Sequence, residues 1–156
     1  MSSEEFSAPE GFVELPEGLG FTDVLRPVFR SETETGVCLG MFVQAQHGNM
    51  IGICHGGVLM TLADIAAAHS VNFARGKSVC VPTIILSFDF VSAAREGDWI
   101  EAHTEQVELK RLFAFAAGVV RSGDKVIMRY SGTVYTPDHE GFDANIKDFA
   151  KMHGKG

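Results

Sequence analysis

The chain is poor in several residue types and patterns, and each shortage narrows what it can be. Its three cysteines (Cys38, Cys54 and Cys80) are odd in number and follow no C-x-x-C or Cys/His spacing. That excludes a disulfide scaffold and offers no zinc motif. They read as reduced, buried thiols, and no metal is expected. No G-x-S-x-G surrounds Ser70, Ser87 or Ser92, which argues against a serine hydrolase. Basic charge is scarce: 13 Lys and Arg against 20 Asp and Glu leave a net charge of −7. A nucleic-acid binder needs the opposite balance, although an anionic small ligand requires only a few local cations. No uninterrupted apolar run approaches the ~18 residues of a membrane span, because Thr61, Asp64, His69 and Ser70 break the stretch from Val58 to Val71. The N-terminal MSSEEF carries acids where a secretory signal carries Lys or Arg, and no apolar segment follows it. The expectation is a cytoplasmic protein with no membrane and no nucleic acid among its partners.

What is present is an ordinary globular balance: 156 residues, 46% hydrophobic and 21% charged, enough for one core. Residues 1–20 read as an N-terminal arm outside the core and 137–156 as a C-terminal tail with a short amphipathic piece around Phe142–Met152. Between them, 21–136 form the domain. Val37, Leu39, Met41, Val43 and Ala45 alternate with small or polar residues at the period of a half-buried strand. Pro27–Arg30 can supply an earlier strand, with a turn at 32–36. From His55 to Arg75 the period becomes helical, with Val58, Leu59, Leu62, Ile65, Ala66 and Val71 on one apolar face. Arg75-Gly76 is a suitable helix end. Strand periodicity returns at Thr83–Phe90, Trp99–Glu108, Leu112–Val120 and Val126–Val134, with hairpin-like links at Glu96-Gly97-Asp98 and Ser122-Gly123-Asp124. The economical architecture is α+β: an antiparallel sheet with one long helix across it.

Two features of that helix carry chemistry. Asp64 is its one acid between Gly56 and Ser70 and sits among small apolar residues. Aspartate is a poor helix-interior residue, and burying a carboxylate without partners is costly. It is therefore either bonded to a neighbouring strand, set on a wet face, or used in catalysis. The helix also opens on His55-Gly56-Gly57. The first amides of a helix have no partner within it and face the positive end of its dipole, so they can hold a developing oxyanion. The glycines fit a tight entry turn equally well. His55 is assigned the structural task of bracing that turn, not of a base. Cys54 beside it is too close in sequence to form a working dyad, and His47, His69, His103, His139 and His153 match no triad or metal spacing.

Asn49, then His55-Gly56-Gly57, then Asp64 nine residues after the histidine, then a β-run from Thr83, resembles the hotdog-fold thioesterases of the phenylacetate-degradation type. The run Leu86–Asp98, ending in a Gly-Asp turn, is similar to the family's strand-and-turn signature, with Ala93 where many relatives have proline. The resemblance covers about residues 36–136. It implies a sheet wrapped around a central helix and hydrolysis of an acyl-CoA to free acid and coenzyme A, with no cofactor beyond the CoA of the substrate. By the same resemblance Gly56 donates its N–H to the thioester carbonyl, and Asp64 acts as general base or as nucleophile from across a dimer interface. Asn49 orients water or carbonyl. Thr83 holds the water, in place of a hydroxyl that some relatives carry one turn after the acid, where this chain has Ala68. His55 and Gly57 shape the loop. Arg75, Lys77, Lys110 and Arg111, at element ends, are candidates for the CoA phosphates. Phe12, Phe21, Met60 and Phe73 are candidates for the acyl pocket.

One helix on one sheet leaves the far sheet face and the edges bare, and Leu112–Val120 is apolar on both faces. A homodimer is the expected minimum, with a homotetramer beyond it. The alternatives are a non-catalytic acyl-CoA-binding module and an acyl-CoA hydratase or dehydratase, the latter pairing His55 with Asp64.

Overall fold

The computed structural model describes residues 6–34 and 36–137. Seven strands form one antiparallel sheet: β1 (Val13–Glu14), β2 (Phe29–Thr33), β3 (Gly36–Phe42), β4 (Thr83–Phe90), β5 (Trp99–Leu109), β6 (Phe113–Ser122) and β7 (Lys125–Tyr135). Their order across the sheet is β1-β2-β3-β5-β6-β7-β4. The helix α1 (Gly56–Arg75) lies over one face, against β3, β5 and β6. This is the expected hotdog architecture. The amphipathic piece around Phe142–Met152 falls outside the described residues.

The helix begins where its sequence says it should. His55 is the N-cap, in extended conformation (φ −61°, ψ 135°), and its Nδ1 accepts the Gly57 N–H at 2.9 Å. That satisfies one of the orphan amides of the first turn. At the other end Gly76 takes the left-handed conformation (φ 64°) in which a side chain would be strained, and its N–H closes on the Asn72 and Phe73 carbonyls. The buried face is Leu59, Leu62, Ala63, Ala66, Ala67, Ser70 and Val71. It is narrower and smaller in side-chain size than the sequence suggested: Val58 and Ile65 are only half-buried. Alanines at 63, 66 and 67 let the helix approach the sheet, where Leu39, Met41, Ile100, Ile127 and Met128 are fully buried. Removing Leu62 to alanine at the centre of this contact costs about 2–5 kcal/mol. By length and composition α1 is apolar enough to cross a bilayer; here its apolar face is spent on the sheet.

Two expectations need correcting. First, the stretch 1–20 is not wholly outside the core. Leu15 is buried within it, its N–H bonds the Val28 carbonyl at 2.8 Å, and its carbonyl accepts from the Arg26 guanidinium at 2.8 Å. Leu15 is a lone apolar residue between Glu14 and Pro16, so no periodicity marks it. Second, the Glu96-Gly97-Asp98 turn does not close a hairpin. β4 pairs with β7 at the far edge of the sheet, whereas β5 pairs with β3 and β6. The chain must cross from one place to the other between Phe90 and Trp99. The link at Ser122–Lys125 is a true β6–β7 hairpin.

Candidate functional site

The predicted site residues fall into two clusters on one helix. The first surrounds the helix entry. Asn49 Oδ1 accepts the N–H groups of Ile51 (3.1 Å) and Ile53 (3.3 Å), while its own N–H bonds the Ile53 carbonyl at 2.8 Å. Asn49 therefore ties the loop 49–53 into a closed turn, and only its amide nitrogen is left to address a substrate. His55 donates its backbone N–H to the His47 carbonyl at 2.8 Å, which docks this loop on the preceding short 3₁₀ turn. Among the described residues the Gly56 N–H meets no acceptor. A Cβ added to Gly56 would sit 3.1 Å from the Phe90 ring, so glycine leaves the amide with one aromatic wall and an open side. The site's architecture at this end is a backbone donor at the positive pole of a 20-residue helix.

The second cluster lies two turns on. Asp64 is half-buried, and its Oδ1 accepts the Thr83 hydroxyl at 2.6 Å. Asp64 is thus bonded to a neighbouring strand through Oδ1. Thr83 reaches it through an irregularity that sequence alternation does not show. Thr83 pairs with Val134 but Ile85 pairs with Thr133, so Ile84 is an unpaired bulge residue. Without the bulge Thr83 would share a face with Ile85 and Ser87, away from the helix. With it, Thr83 joins the face of buried Val134.

Asp64 and Thr83 open into a cavity of about 1070 Å³. Ile65, Ala68 and Phe73 of α1, the loop residues Val79 and Val81, and Leu15 and Leu19 from the N-terminal stretch line it. The sequence pointed to the N-terminal arm as a pocket wall through Phe12, but the arm residues that line it are Leu15 and Leu19. Of the four residues proposed for the pocket, Phe73 lines it. Phe12 instead stacks edge-on against Trp99 (centroids 5.1 Å apart), and Phe21 is largely exposed. Met60, also partly exposed, is not on the cavity wall. Of the predicted cations, Lys77 is on the cavity wall. Arg75 bonds the Pro137 carbonyl at 3.2 Å, Lys110 pairs with Glu108 at 3.0 Å, and Arg111 sits exposed beside Lys110 in the β5–β6 turn.

The structure thus brings Asp64 to Thr83 and sets His55 as the cap of the helix entry at Gly56-Gly57, while Asn49 closes the loop that leads into it. It does not bring the two groups together within one chain. Eight residues of helix separate Gly56 from Asp64, a rise of about 12 Å.

Residues 51–128 match the model of the thioesterase superfamily. A protein of Pseudomonas aeruginosa named "Putative esterase" is 33% identical over 132 residues, 84% of this chain and 98% of that one. The phenylacetic acid degradation protein PaaI of Thermus thermophilus, solved in a mutant form, superposes with a TM-score of 0.67 at 27% identity, covering 75% of this chain and 98% of that one. Zebrafish thioesterase superfamily member 2 superposes with a TM-score of 0.67 at 27% identity, covering 78% and 89%. The matched span holds the helix entry, Asp64 and Thr83 together, and on that ground the chain belongs to the thioesterase superfamily as a hotdog-fold thioester hydrolase.

Proposed function

We propose that the substrate is an acyl-CoA and that each active site is built by two chains. The observation that carries this is the Asp64–Thr83 pair facing an apolar cavity, about 12 Å along the helix from the unpartnered Gly56 amide. No carbonyl held by that amide is within reach of the same chain's Asp64. A second copy supplies the missing half. β4 is an edge strand with Ile84, Ile85 and Phe90 exposed and Val91 exposed just beyond its end, and such an edge calls for a partner. Antiparallel pairing of β4 with its copy about a two-fold axis places the Thr83 end of one strand beside the Phe90 end of the other. Since Thr83 touches Asp64 and Phe90 touches Gly56, Asp64 of each chain is brought toward the other chain's Gly56.

In that arrangement the thioester carbonyl oxygen accepts from the Gly56 N–H. Asp64 takes a proton from water as the water oxygen bonds the carbonyl carbon, and the negative charge on the carbonyl oxygen is held at the helix N-terminus. Collapse breaks the C–S bond, and the departing thiolate is protonated to give free CoA and the acid. The thiolate is a good leaving group, so no strong general acid is required. Thr83, donating to Oδ1, fixes the carboxylate plane and leaves Oδ2 for the water. The cavity accepts the acyl chain on Leu15, Leu19, Ile65, Phe73 and Val81, and its volume is ample for a medium-chain or aryl acyl group.

The test is release of free thiol from a panel of acyl-CoAs by wild type, Asp64→Asn and Asp64→Ala. Folded variants should lose at least ~100-fold in turnover, as expected for removal of a general base. Wild-type inactivity on every acyl-CoA, or variants that keep full rate, would overturn the reading.

A further inference from the structure

The cysteine spacing in the sequence shows no metal motif, but β-pairing makes a cluster that the linear chain hides. In the β3–β5 register Cys38 stands directly opposite His103, and Glu101, two residues earlier on β5, projects from the same face. The face is the one turned away from α1, since the neighbouring Leu39 and Ala102 are in the core. Cys38 Sγ lies 3.6 Å from His103 Nε2 and 4.0 Å from Glu101 Oε2, and His103 Nε2 lies 2.7 Å from that same Oε2. One sulfur, one imidazole nitrogen and one carboxylate oxygen therefore converge on a single point, all within 4.8 Å of one another.

We propose that Cys38, Glu101 and His103 form a binding site for one zinc-class divalent cation. The separations are those the chemistry asks for. With bonds of about 2.3 Å to sulfur and about 2.0 Å to nitrogen and oxygen, a tetrahedral ion sets S···N near 3.5 Å, S···O near 3.5 Å and N···O near 3.3 Å. The cluster meets the first within about 0.1 Å, and the other two require shifts of roughly half an ångström, which side-chain rotation supplies. The ligand set of thiolate, imidazole and carboxylate suits zinc rather than magnesium or calcium. Glu101 is also held from behind: its Oε1 accepts the Trp99 indole N–H at 2.7 Å, leaving Oε2 for the ion. Trp99 is itself packed among Phe12, Phe29 and Phe42, so that hydrogen bond is made by a fixed donor. The side chains of His103 and Glu101 keep partial access to solvent, which gives the ion an entry path and a fourth position for water. On binding, the Sγ–H proton leaves to solvent as the sulfur–metal bond forms. The site lies on the sheet face opposite the Asp64 cavity, and it would join β3 to β5 without taking part in hydrolysis.

Cobalt(II) is the probe, added to full-length protein freed of metal by a chelator, with zinc then used to displace it. The expected result is one cobalt per chain and a thiolate-to-cobalt charge-transfer band in the near ultraviolet. Zinc should abolish the band, and it should be absent in Cys38→Ser. His103→Gln, which keeps the ring's hydrogen-bonding ability toward Glu101, should weaken cobalt binding by more than the roughly 10–100-fold that loss of an outer partner costs. Cys80→Ser should retain the band. Circular dichroism of the metal-free variants checks folding, and if Cys38→Ser misfolds His103→Gln decides. No stoichiometric cobalt binding, a band that survives His103→Gln at full affinity, or one lost only in Cys80→Ser overturns the proposal.

Discussion

Thr83 and Asp64 are 19 residues apart in sequence and joined by a 2.6 Å hydrogen bond that exists because Ile84 bulges out of the β4–β7 ladder. The bond fixes one carboxylate oxygen and one rotamer of an otherwise half-exposed acid. Thr83→Ala should lower kcat roughly tenfold, the equivalent of about 1.4 kcal/mol, with little change in melting temperature, whereas Thr83→Ser should recover most of the rate. A fall in stability matching the fall in rate would instead make the contact a fold element. Steady-state kinetics on the best acyl-CoA, with thermal melts of the same samples, separate the two.

The element order and the helix with its caps were legible in the sequence because each has a local signal, and local signals also marked His55, Gly56 and Asp64 as candidates, whereas Asn49 was singled out by the resemblance alone. The period changes from two to 3.6 at Gly56 and back at Thr83, and glycine pairs and a solitary acid stand out in an apolar helix. What was not legible depends on long-range pairing. The side to which Thr83 turns is decided by a one-residue bulge. The place of β4 beside β7, and not beside β5, is decided by the sheet as a whole. Leu15 becomes a core and cavity residue only because the chain folds back along β2. The meeting of Cys38 with His103, 65 residues away, likewise follows from strand register.

A shared site makes a mixing prediction. Gly56→Pro removes the proposed oxyanion donor while respecting the helix, because proline is tolerated at a first helical position and His55 before it is already extended. Gly56→Pro and Asp64→Asn homodimers should each be nearly inactive. After unfolding and refolding together, half of the dimers are mixed and each mixed dimer has one intact site, so about a quarter of wild-type activity should return. No recovery from a mixture shown to contain mixed dimers would place the complete site within one chain. Size-exclusion chromatography with light scattering supplies the assembly state.

His47 sets an acid limit on the helix entry. Its Nδ1 accepts the Gln44 N–H at 3.0 Å, a bond available only to the neutral ring, and its carbonyl holds the His55 N–H. Burial pushes its pKa below 6.5, against a smaller opposing pull from the Phe42 backbone. The unfolded chain therefore takes the proton first. The stability this gives is fully present above pH 6.5 and is lost as pH falls below it toward the folded-state value. The loss cannot exceed about 1.4 kcal/mol per pH unit for one proton. His47→Gln should flatten the difference in unfolding free energy between pH 7 and pH 5 relative to wild type. Denaturant melts at the two pH values read it directly, and an unchanged slope would remove His47 from the account.

The three thiols should separate cleanly in reactivity. Burial, reinforced by the Glu101 carboxylate, pushes Cys38 up to about 12, and burial pushes Cys54 up to about 11. At pH 8 their thiolate fractions are then roughly one in ten thousand and one in a thousand, and the thiolate is the reactive form. Cys80 is half-exposed and lines the Asp64 cavity. A maleimide at pH 8 should therefore modify Cys80 first, as mass spectrometry of digested protein would show. Because the adduct occupies the cavity proposed to hold the acyl chain, activity should fall in step with labelling, and a bound non-hydrolysable acyl-CoA analogue should slow both. Cys80→Ser should keep its activity and resist the reagent. Full activity after complete Cys80 labelling would mean that the acyl chain lies elsewhere than beside Val79 and Val81.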